Sequence, residues 1–565
     1  MYAALASPCI VAADNAEFAS LGALGGAAHP SGYPLYVLWL RAWSWLPAQS
    51  PAHAAALATA ILGGLAIGVL HAACRAWGAR PVAATIAVAI VGAAPIVLQY
   101  ATEAEVFAIN GLIAALVVWL SAAGGPLRGR WRGAALGLVA GLGLSAHLTC
   151  ALVAPIGLYG VVRAARESRP TTYALAAAGF ALGLVPYAYL FVADGPASWG
   201  TISSLGELWA TIQRREYGGL ELVPGGADVP WTASVGALAA TAGRSWLWLP
   251  GLAGVAMLAV RIWRPVGPVG PMGPVGPVGP VGETRAAWLL LAASIALAGP
   301  ILVSRFNIDP HGMGLTICRR FYILPILLMA VPVAAALDVA CARLTRPHLA
   351  GALAIAGFGA LVVADLPGLA RVHSPAMERG VANLFRSLPP AAVAVVISED
   401  LCFGGHYLQL ARGVRPDVAF VCSELLRRDW YRARWAGRGL ALPIDPGAPL
   451  GEALLRTGRP IFVDRGLTRL LATYPSYPLG ILYRALPRGT PPPAAHAIAA
   501  ENRDVYQRFD LDYPRPGRDD DFAAVAHRRY TANWAAVANL LDAAGDREAA
   551  HDAVELARQL QPERD

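Results

Sequence analysis

Apolar residues run along this chain in stretches too long for a soluble core, broken at intervals by short clusters rich in Arg, Pro and Gly. Stretches long enough to span a bilayer, or nearly so, occupy 54–77, 82–98, 106–120, 133–144, 151–162, 175–192, 246–260, 289–303, 324–339 and 349–363. A spanning helix needs roughly 20 apolar residues, so this pattern predicts about ten transmembrane helices. The first apolar run, Met1 to Ala13, has no basic flank. It is too short to span and poor as a signal peptide, and it reads as the end of a first span cut short. After Asp365 the pattern changes, with short runs such as "AAVAVVIS", "DVAFVC" and "PIFVD" alternating with helix-like and Gly/Pro segments. Residues 366–525 therefore predict a small α/β domain, following a membrane domain over 1–365.

Composition agrees with the membrane assignment. Of 565 residues, 56% are hydrophobic and 15% charged, and the mean hydropathy is +0.49, far from soluble usage. All 45 basic residues are Arg. Together with the abundance of Ala, Gly and Pro this reflects a GC-rich gene rather than phosphate binding, so the basic balance implies no nucleic-acid partner. The seven Cys form no CxxC and no Cys/His cluster, so neither a zinc site nor a disulfide framework is indicated. Cys402 and Cys422 either pair outside the cytoplasm or stay free thiols.

The Arg residues orient the bundle, because short cytoplasmic loops are enriched in positive charge. Arg75 and Arg80; Arg128, Arg130 and Arg132; Arg163, Arg166 and Arg169; Arg261, Arg264 and Arg285; and Arg343 and Arg346 fall in alternate loops. Placing these inside puts 14–47, 99–105, the turn at His147, 193–244, 305–320 and everything after 365 on the outer face. Nearly every cluster of unusual polar residues lies in that outer set. One inner loop, 265–282, is six Pro-Val-Gly or Pro-Met-Gly triplets, read as a flexible cytoplasmic linker rather than a collagen helix. In the tail, 526–565, Trp534, Ala538, Gly545, Ala550, Ala557 and Pro562 fall at the offsets of one tetratricopeptide unit. A single unit forms no solenoid, so this TPR-like hairpin docks on its neighbour or on a partner protein.

Several outer motifs carry two readings each. Asp14-Asn15-Ala16-Glu17 is close to a capping box. It also sets two carboxylates on one helical face, one as general base and one as its partner. Thr102-Glu103-Ala104-Glu105 is either a capping box opening a helix at Val106 or two acids facing Asp14 across an outward cavity. His147, in the turn "SAHLT", either bonds backbone or meets a substrate. Arg214-Arg215-Glu216-Tyr217-Gly218-Gly219 offers two planar guanidiniums suited to phosphate, or an ordinary solvated loop. Arg319-Arg320-Phe321-Tyr322 starts a span from the outer side, against the positive-inside tendency. Tyr36, Trp39, Leu40, Trp43 and Trp45, between Pro34 and Pro47, predict a helix at the headgroup level. Asp510-Leu511-Asp512 and the acids at 519–521 have the form of a nucleotide-sugar DxD site, a reading their outer location disfavours.

Taken in order, "ADNAEFASLGALGGAAHPSGYPLY", "ATEAEVFAIN", "GLGLSAHLT", "SWGTISSLGELWATIQRREYGG" and "RRFYILP" resemble the landmarks of the bacterial protein O-mannosyltransferase-like membrane family, a GT-C glycosyltransferase branch. Weaker similarity continues through "ISEDLCFGGHYLQLARGVRPDVAFV". Ala16 stands where that family usually has Gly, and Ser31 where it usually has a second Pro. The resemblance implies a GT-C helical bundle in the bacterial inner membrane with its C-terminal domain extracytoplasmic. It implies inverting transfer of a hexose, plausibly mannose, from a polyprenyl-phosphate-type lipid carrier to a protein or envelope-glycan hydroxyl, with no metal. By residue, it implies Asp14 as base with Glu17 beside it. His29, Tyr33, Glu103, Glu105, His147, Arg214, Arg215, Tyr217, Arg319 and Arg320 become candidates for holding acceptor or donor. The rival readings are an envelope lipid flippase, which needs ionisable groups along the spans, and a non-enzymatic envelope assembly protein docking through the TPR-like tail.

Overall fold

The computed structural model describes residues 1–217, 226, 228–263, 283–342, 346–518 and 521–563. The triplet repeat over 265–282, Gly218, Gly219, Asp519 and Asp520 therefore lie outside the described residues.

The N-terminal part is a bundle of helices, many opened by proline. Pro34, Pro51, Pro81 and Pro95 each stand in the first turn of the helices Pro34–Ala42, Pro51–Ala76, Pro81–Gly92 and Pro95–Thr102. There the missing N–H costs no hydrogen bond. Ser50 caps the second of these, its Oγ accepting from the His53 backbone N–H at 3.0 Å. Four helices of the described residues are long and apolar enough to cross a membrane: Pro51–Ala76, Leu148–Glu167, Thr171–Phe191 and Leu349–Ser387. Counting each bent pair as one span gives up to seven. The chain is a multi-pass membrane protein.

Several predicted continuous spans are broken. The stretch expected over 82–98 is two helices bent by 70°, because Pro95 starts a new helix after Gly92. That expected over 246–260 belongs to the pair Trp231–Ser245 and Leu249–Trp263, bent by 110°. That expected over 324–339 belongs to Met313–Leu328 and Ala330–Cys341, bent by 43°. Before the first long helix, Tyr2–Leu5 is a single 3-10 turn, and the Tyr2 hydroxyl donates to the Gly92 carbonyl at 2.7 Å.

Small residues set the closest crossing. A Cβ on Gly137 would lie 1.9 Å from the Ala176 carbonyl oxygen, and one on Gly183 2.4 Å from that of Leu138. Only glycine lets Gly129–Ala146 and Thr171–Gly183 meet at backbone distance. The long helix Pro347–Val372 leaves Leu353, Ile355 and Val363 mostly exposed, a face suited to lipid tails.

Beyond it, five strands form one sheet of order β2-β1-β3-β5-β4: β1 Val393–Val396, β2 Ala419–Cys422, β3 Ile461–Val463, β4 Ser476–Leu479 and β5 Leu482–Ala485. β1 runs parallel to β2 and β3, and β5 pairs antiparallel with β3 and β4. β1 to β3 are buried throughout, as continuous apolar strands covered on both faces should be. Cys402 and Cys422 are joined as a disulfide, tying the helix Glu399–His406 to the end of β2. The tail is a helical hairpin, Asp521–Ala543 and Arg547–Leu560, turning at Gly545 with φ 87°. Its Tyr530 and Trp534 are buried, and Asn383 Nδ2 donates to the Tyr530 hydroxyl at 2.9 Å. The hairpin thus lies against its own chain at the helix Ala376–Ser387.

Candidate active site

The helix Ala13–Leu24 starts the site, though not through a capping box. Its N-cap is Ala12, with no side-chain cap, so Asp14 falls in the first turn and leaves its carboxylate free to turn elsewhere. Asn15 takes the local task, its Oδ1 accepting from the Val11 N–H at 3.1 Å. Glu17 reaches away from its helix. Its carboxylate accepts from the His29 backbone N–H at 2.8 Å and meets His29 Nδ1 at 2.5 Å. The second expected capping box is also corrected. Thr102 ends the helix Pro95–Thr102, its Oγ1 donating back to the Leu98 carbonyl at 2.8 Å, and the helix Phe107–Ser121 begins at Val106 without a side-chain cap. Glu103 and Glu105 occupy the break between them, both buried.

Asp14 Oδ2 lies 2.5 Å from Arg320 Nη1. Burial alone would push the Asp14 carboxyl up, but the Arg320 guanidinium and the nearby His29 hold it below its ordinary value. For His29, burial pulls the ring down, yet the Glu17 carboxylate lifts it to about 9, so the imidazole stays protonated at neutral pH. Glu105 goes the other way: burial, then the charge on Asp14, push its carboxyl above the usual carboxylate range. His147 ends the helix Gly129–Ala146; Nδ1 accepts from the Thr149 N–H at 3.2 Å and burial drives its pKa to about 3. A neutral ring accepting at Nδ1 carries its proton on Nε2. Tyr33 stacks on it with ring centroids 5.7 Å apart, and the Tyr33 hydroxyl lies 3.4 Å from His29 Nε2.

Two chambers meet at these residues. One, of 320 Å³, is polar and reaches under the C-terminal domain, with Glu103, Glu399, Asp400 and Asp521 in its wall. The other, of 530 Å³, is walled largely by Phe18, Phe107, Leu148, Leu302, Phe306 and Phe321 among its apolar side chains. Asp14, His29, Glu105, Arg214 and Arg320 line both. Tyr33 and His147 line the apolar chamber alone, and Glu103 the polar one alone.

Arg215 and Arg319 stand apart from the chambers. Arg215 is exposed and donates from Nε to Gln213 Oε1 at 2.8 Å. Arg319 ties the tail to the membrane domain through Asp521, at 2.5 Å. Tyr217 closes the 3-10 turn Arg215–Tyr217, and its side chain lies outside the described part. The acids read as a possible DxD are engaged structurally: Asp510 pairs with Arg379 at 2.6 Å. Among the described residues no group of three or more His, Cys, Asp or Glu could hold a metal ion.

The wall residues Glu399, Asp400 and Phe403 were not singled out by the motif reading. Their signal was positional: Glu399 and Asp400 follow the end of β1, the edge at which parallel α/β sheets present ligand-binding groups.

Residues 14–170 match the family model of the protein O-mannosyl-transferase TMEM260 N-terminal domain. The mouse protein O-mannosyl-transferase TMEM260 is 24% identical over 476 residues, covering 80% of this chain. The chain spans 65% of that mouse protein's length. The crystal structure of ArnT from Cupriavidus metallidurans bound to undecaprenyl phosphate aligns with TM-score 0.49 and 13% identity, over 87% of this chain and 97% of that one. The apo form of ArnT aligns with TM-score 0.47 and 13% identity, over 86% and 95%.

Proposed function

We propose, from the match of residues 14–170 to the protein O-mannosyl-transferase TMEM260 N-terminal domain and the similarity to the mouse protein, that the chain transfers a hexose from a polyprenyl-phosphate-type lipid carrier to a polypeptide hydroxyl. Mannose is the sugar of this reading, and the outer face of a bacterial inner membrane its location. The observation that carries it is the set Asp14, His29, Glu105, Arg214 and Arg320 standing between a polar and an apolar chamber. A donor with an apolar tail, a phosphate and a sugar needs such a boundary, and a hydroxyl acceptor needs an aqueous approach to it.

In this mechanism the lipid enters the apolar chamber and its phosphate meets Arg320 and Arg214, planar donors that suit phosphate oxygens. Arg320 now neutralises the donor rather than Asp14, and the Asp14 carboxylate regains basicity. The acceptor oxygen bonds to the anomeric carbon from the face opposite the phosphate. The bond from that carbon to the phosphate oxygen breaks, its electron pair leaving on the lipid phosphate, and the hydroxyl proton passes to Asp14. Preorganised positive charge at the departing phosphate supplies the main electrostatic lever. The Glu17–His29 pair holds a second cation beside Asp14, and His147 lines the donor side.

The test is transfer by membranes carrying the wild-type chain or Asp14→Asn, given labelled polyprenyl-phosphate mannose and a Ser/Thr peptide. Transfer by the wild type and its loss in the variant, at equal amounts of protein in the membrane, are the expected outcome. Undiminished transfer by Asp14→Asn overturns the role of Asp14, and carrier movement across the bilayer without sugar transfer favours a flippase.

A further inference from the structure

Six carboxylates face the polar chamber, and three of them, Asp14, Asp400 and Asp521, are held by an arginine. Asp14 is paired with Arg320. Asp400 is clamped by Arg529, whose Nη1 and Nη2 donate to its two oxygens at 2.6 and 2.9 Å. Asp521 is held by Arg319 and by the Thr316 hydroxyl. Glu103 is buried, with His373 Nε2 4.0 Å away. Glu399 differs: its side chain is exposed into the chamber, and among the described residues its carboxylate makes no hydrogen bond or ion pair.

Its position is fixed by what surrounds it. Glu399 is the first residue of the helix Glu399–His406, just past the end of β1. The Asp400–Arg529 clamp and the Cys402–Cys422 disulfide pin that helix at two further points. A Cβ on Gly405 would come within 2.2 Å of the Phe420 ring, so the helix lies flat against β2. A carboxylate on so restrained a helix is presented to the chamber at little further conformational cost.

Among the described residues the chamber also contains unpaired buried carboxyl oxygens, on Glu103 and on Glu105. Glu105 is 2% exposed, lines the same space, and among the described residues its Oε2 has no hydrogen-bond partner. A buried oxygen left unpaired is costly until a ligand brings a donor to it. Glu399 lines the polar chamber and not the apolar one. A carboxylate there repels an anionic carrier and attracts groups that bring N–H donors or positive charge.

We propose that Glu399 is a specificity-determining residue of the acceptor site, selecting polypeptides with a basic residue beside the acceptor Ser or Thr and disfavouring acidic neighbours. The C-terminal α/β domain thereby becomes part of the acceptor site rather than a separate module. This rests on the transferase reading above.

The test uses the full chain in membranes with polyprenyl-phosphate mannose and two peptides, identical except for Lys or Asp beside the acceptor Ser. The wild type is expected to show a kcat/KM ratio favouring the Lys peptide by about tenfold at low salt, as opposite charges at close range imply. In Glu399→Gln that ratio collapses toward one, in Glu399→Arg it inverts, and Glu399→Asp restores part of it. Donor binding in each variant, measured with the labelled carrier, reports correct folding independently. No preference in the wild type, or the wild-type ratio persisting in both Glu399→Gln and Glu399→Arg, overturns the proposal while leaving the transferase reading intact. Should both variants fail to bind donor, the wild-type preference alone decides. No transfer by the wild type to either peptide overturns the functional reading, and this inference with it.

Discussion

Asp14 and Arg320 are 306 residues apart in sequence and 2.5 Å apart in space, joining the helix Ala13–Leu24 to the helical stretch Met313–Leu328. Their side chains keep 18% and 25% of their surface accessible, so the pair sits in a chamber wall, open to exchange. Arg320 also lies over Phe107 and Phe321, with its guanidinium carbon 6.0 and 5.7 Å from their ring centroids. A guanidinium held by ring faces and a carboxylate can trade the carboxylate for a phosphate without leaving its place.

Removing the Asp14 charge therefore has two expected effects. Asp14→Asn should lower sugar transfer by about 10²–10⁴-fold, the range for a lost general base. Donor affinity should hold or rise, because Arg320 loses its internal competitor. Separate measurement of carrier binding and transfer checks this; a parallel loss of both points to a structural role.

Adjacent Arg residues should give opposite phenotypes. Arg320→Ala removes a cation shared by both chambers and should abolish carrier binding, whereas Arg319→Ala cuts the link to Asp521. Arg319→Ala and Asp521→Ala should each destabilise the protein in detergent, with a double-mutant coupling of about 0.5–3 kcal/mol and little change in donor binding. Thermal retention of monodisperse protein measures the first effect, and labelled-carrier binding the second.

How much of this was legible follows the same division. The acids, His29 and Arg320 could be gathered on one face because positive charge in alternate loops orients a bundle. The two capping boxes could not be checked locally: Asp14 and Glu17 have the right spacing, but Arg320 and His29 are stronger partners than backbone N–H groups. The separate tasks of Arg319 and Arg320 depend on where successive side chains point on a helix and on Asp521, some 200 residues away. Glu399 lies in the stretch "ISEDLCFGGHY", and its placement in the chamber wall depends on how the sheet domain seats over the helix Ala13–Leu24.

The tail offers a further check on its own packing. Arg529 is nearly buried and binds Asp400 through both oxygens, with Ser398 Oγ accepting from Nη2 at 2.9 Å. Leaving Asp400 buried without its partner should cost about 3–5 kcal/mol. Arg529→Ala should thus lower the thermal midpoint in detergent and expose the helix Glu399–His406 to proteolysis. A variant as stable as the wild type would instead leave the hairpin free for a docking role.

The Glu17–His29 pair sets a pH dependence. His29 is raised from 6.5 to about 9 by Glu17, so its contribution to stability is fully present below about pH 6.5. It is lost as pH rises through about 9. The stability of the wild type should fall across that window by up to about 3 kcal/mol. Glu17→Gln should remove most of the fall and lower stability at neutral pH, which thermal retention measured from pH 6 to pH 10 in steps of about one unit will test.

Asp14 and Glu105 are two carboxylates that share the charge of Arg320. Burial and the charge on Asp14 raise the Glu105 carboxyl above the ordinary range, so near neutral pH the proton resides on Glu105 and the charge on Asp14. A glutamine reproduces a neutral carboxylic acid in size and hydrogen bonding, so Glu105→Gln should keep transfer within about threefold of the wild type at pH 6, unlike Asp14→Asn. As pH rises, the wild-type Glu105 loses its proton and places a second negative charge beside the departing phosphate. The wild type should therefore lose transfer on the alkaline side earlier than Glu105→Gln, while Glu105→Ala loses activity at every pH because the wall contact is gone. The pH profiles of transfer by the three chains decide this. Activity of Glu105→Gln as low as that of Asp14→Asn at pH 6 would mean that Glu105, and not Asp14, takes the acceptor's proton.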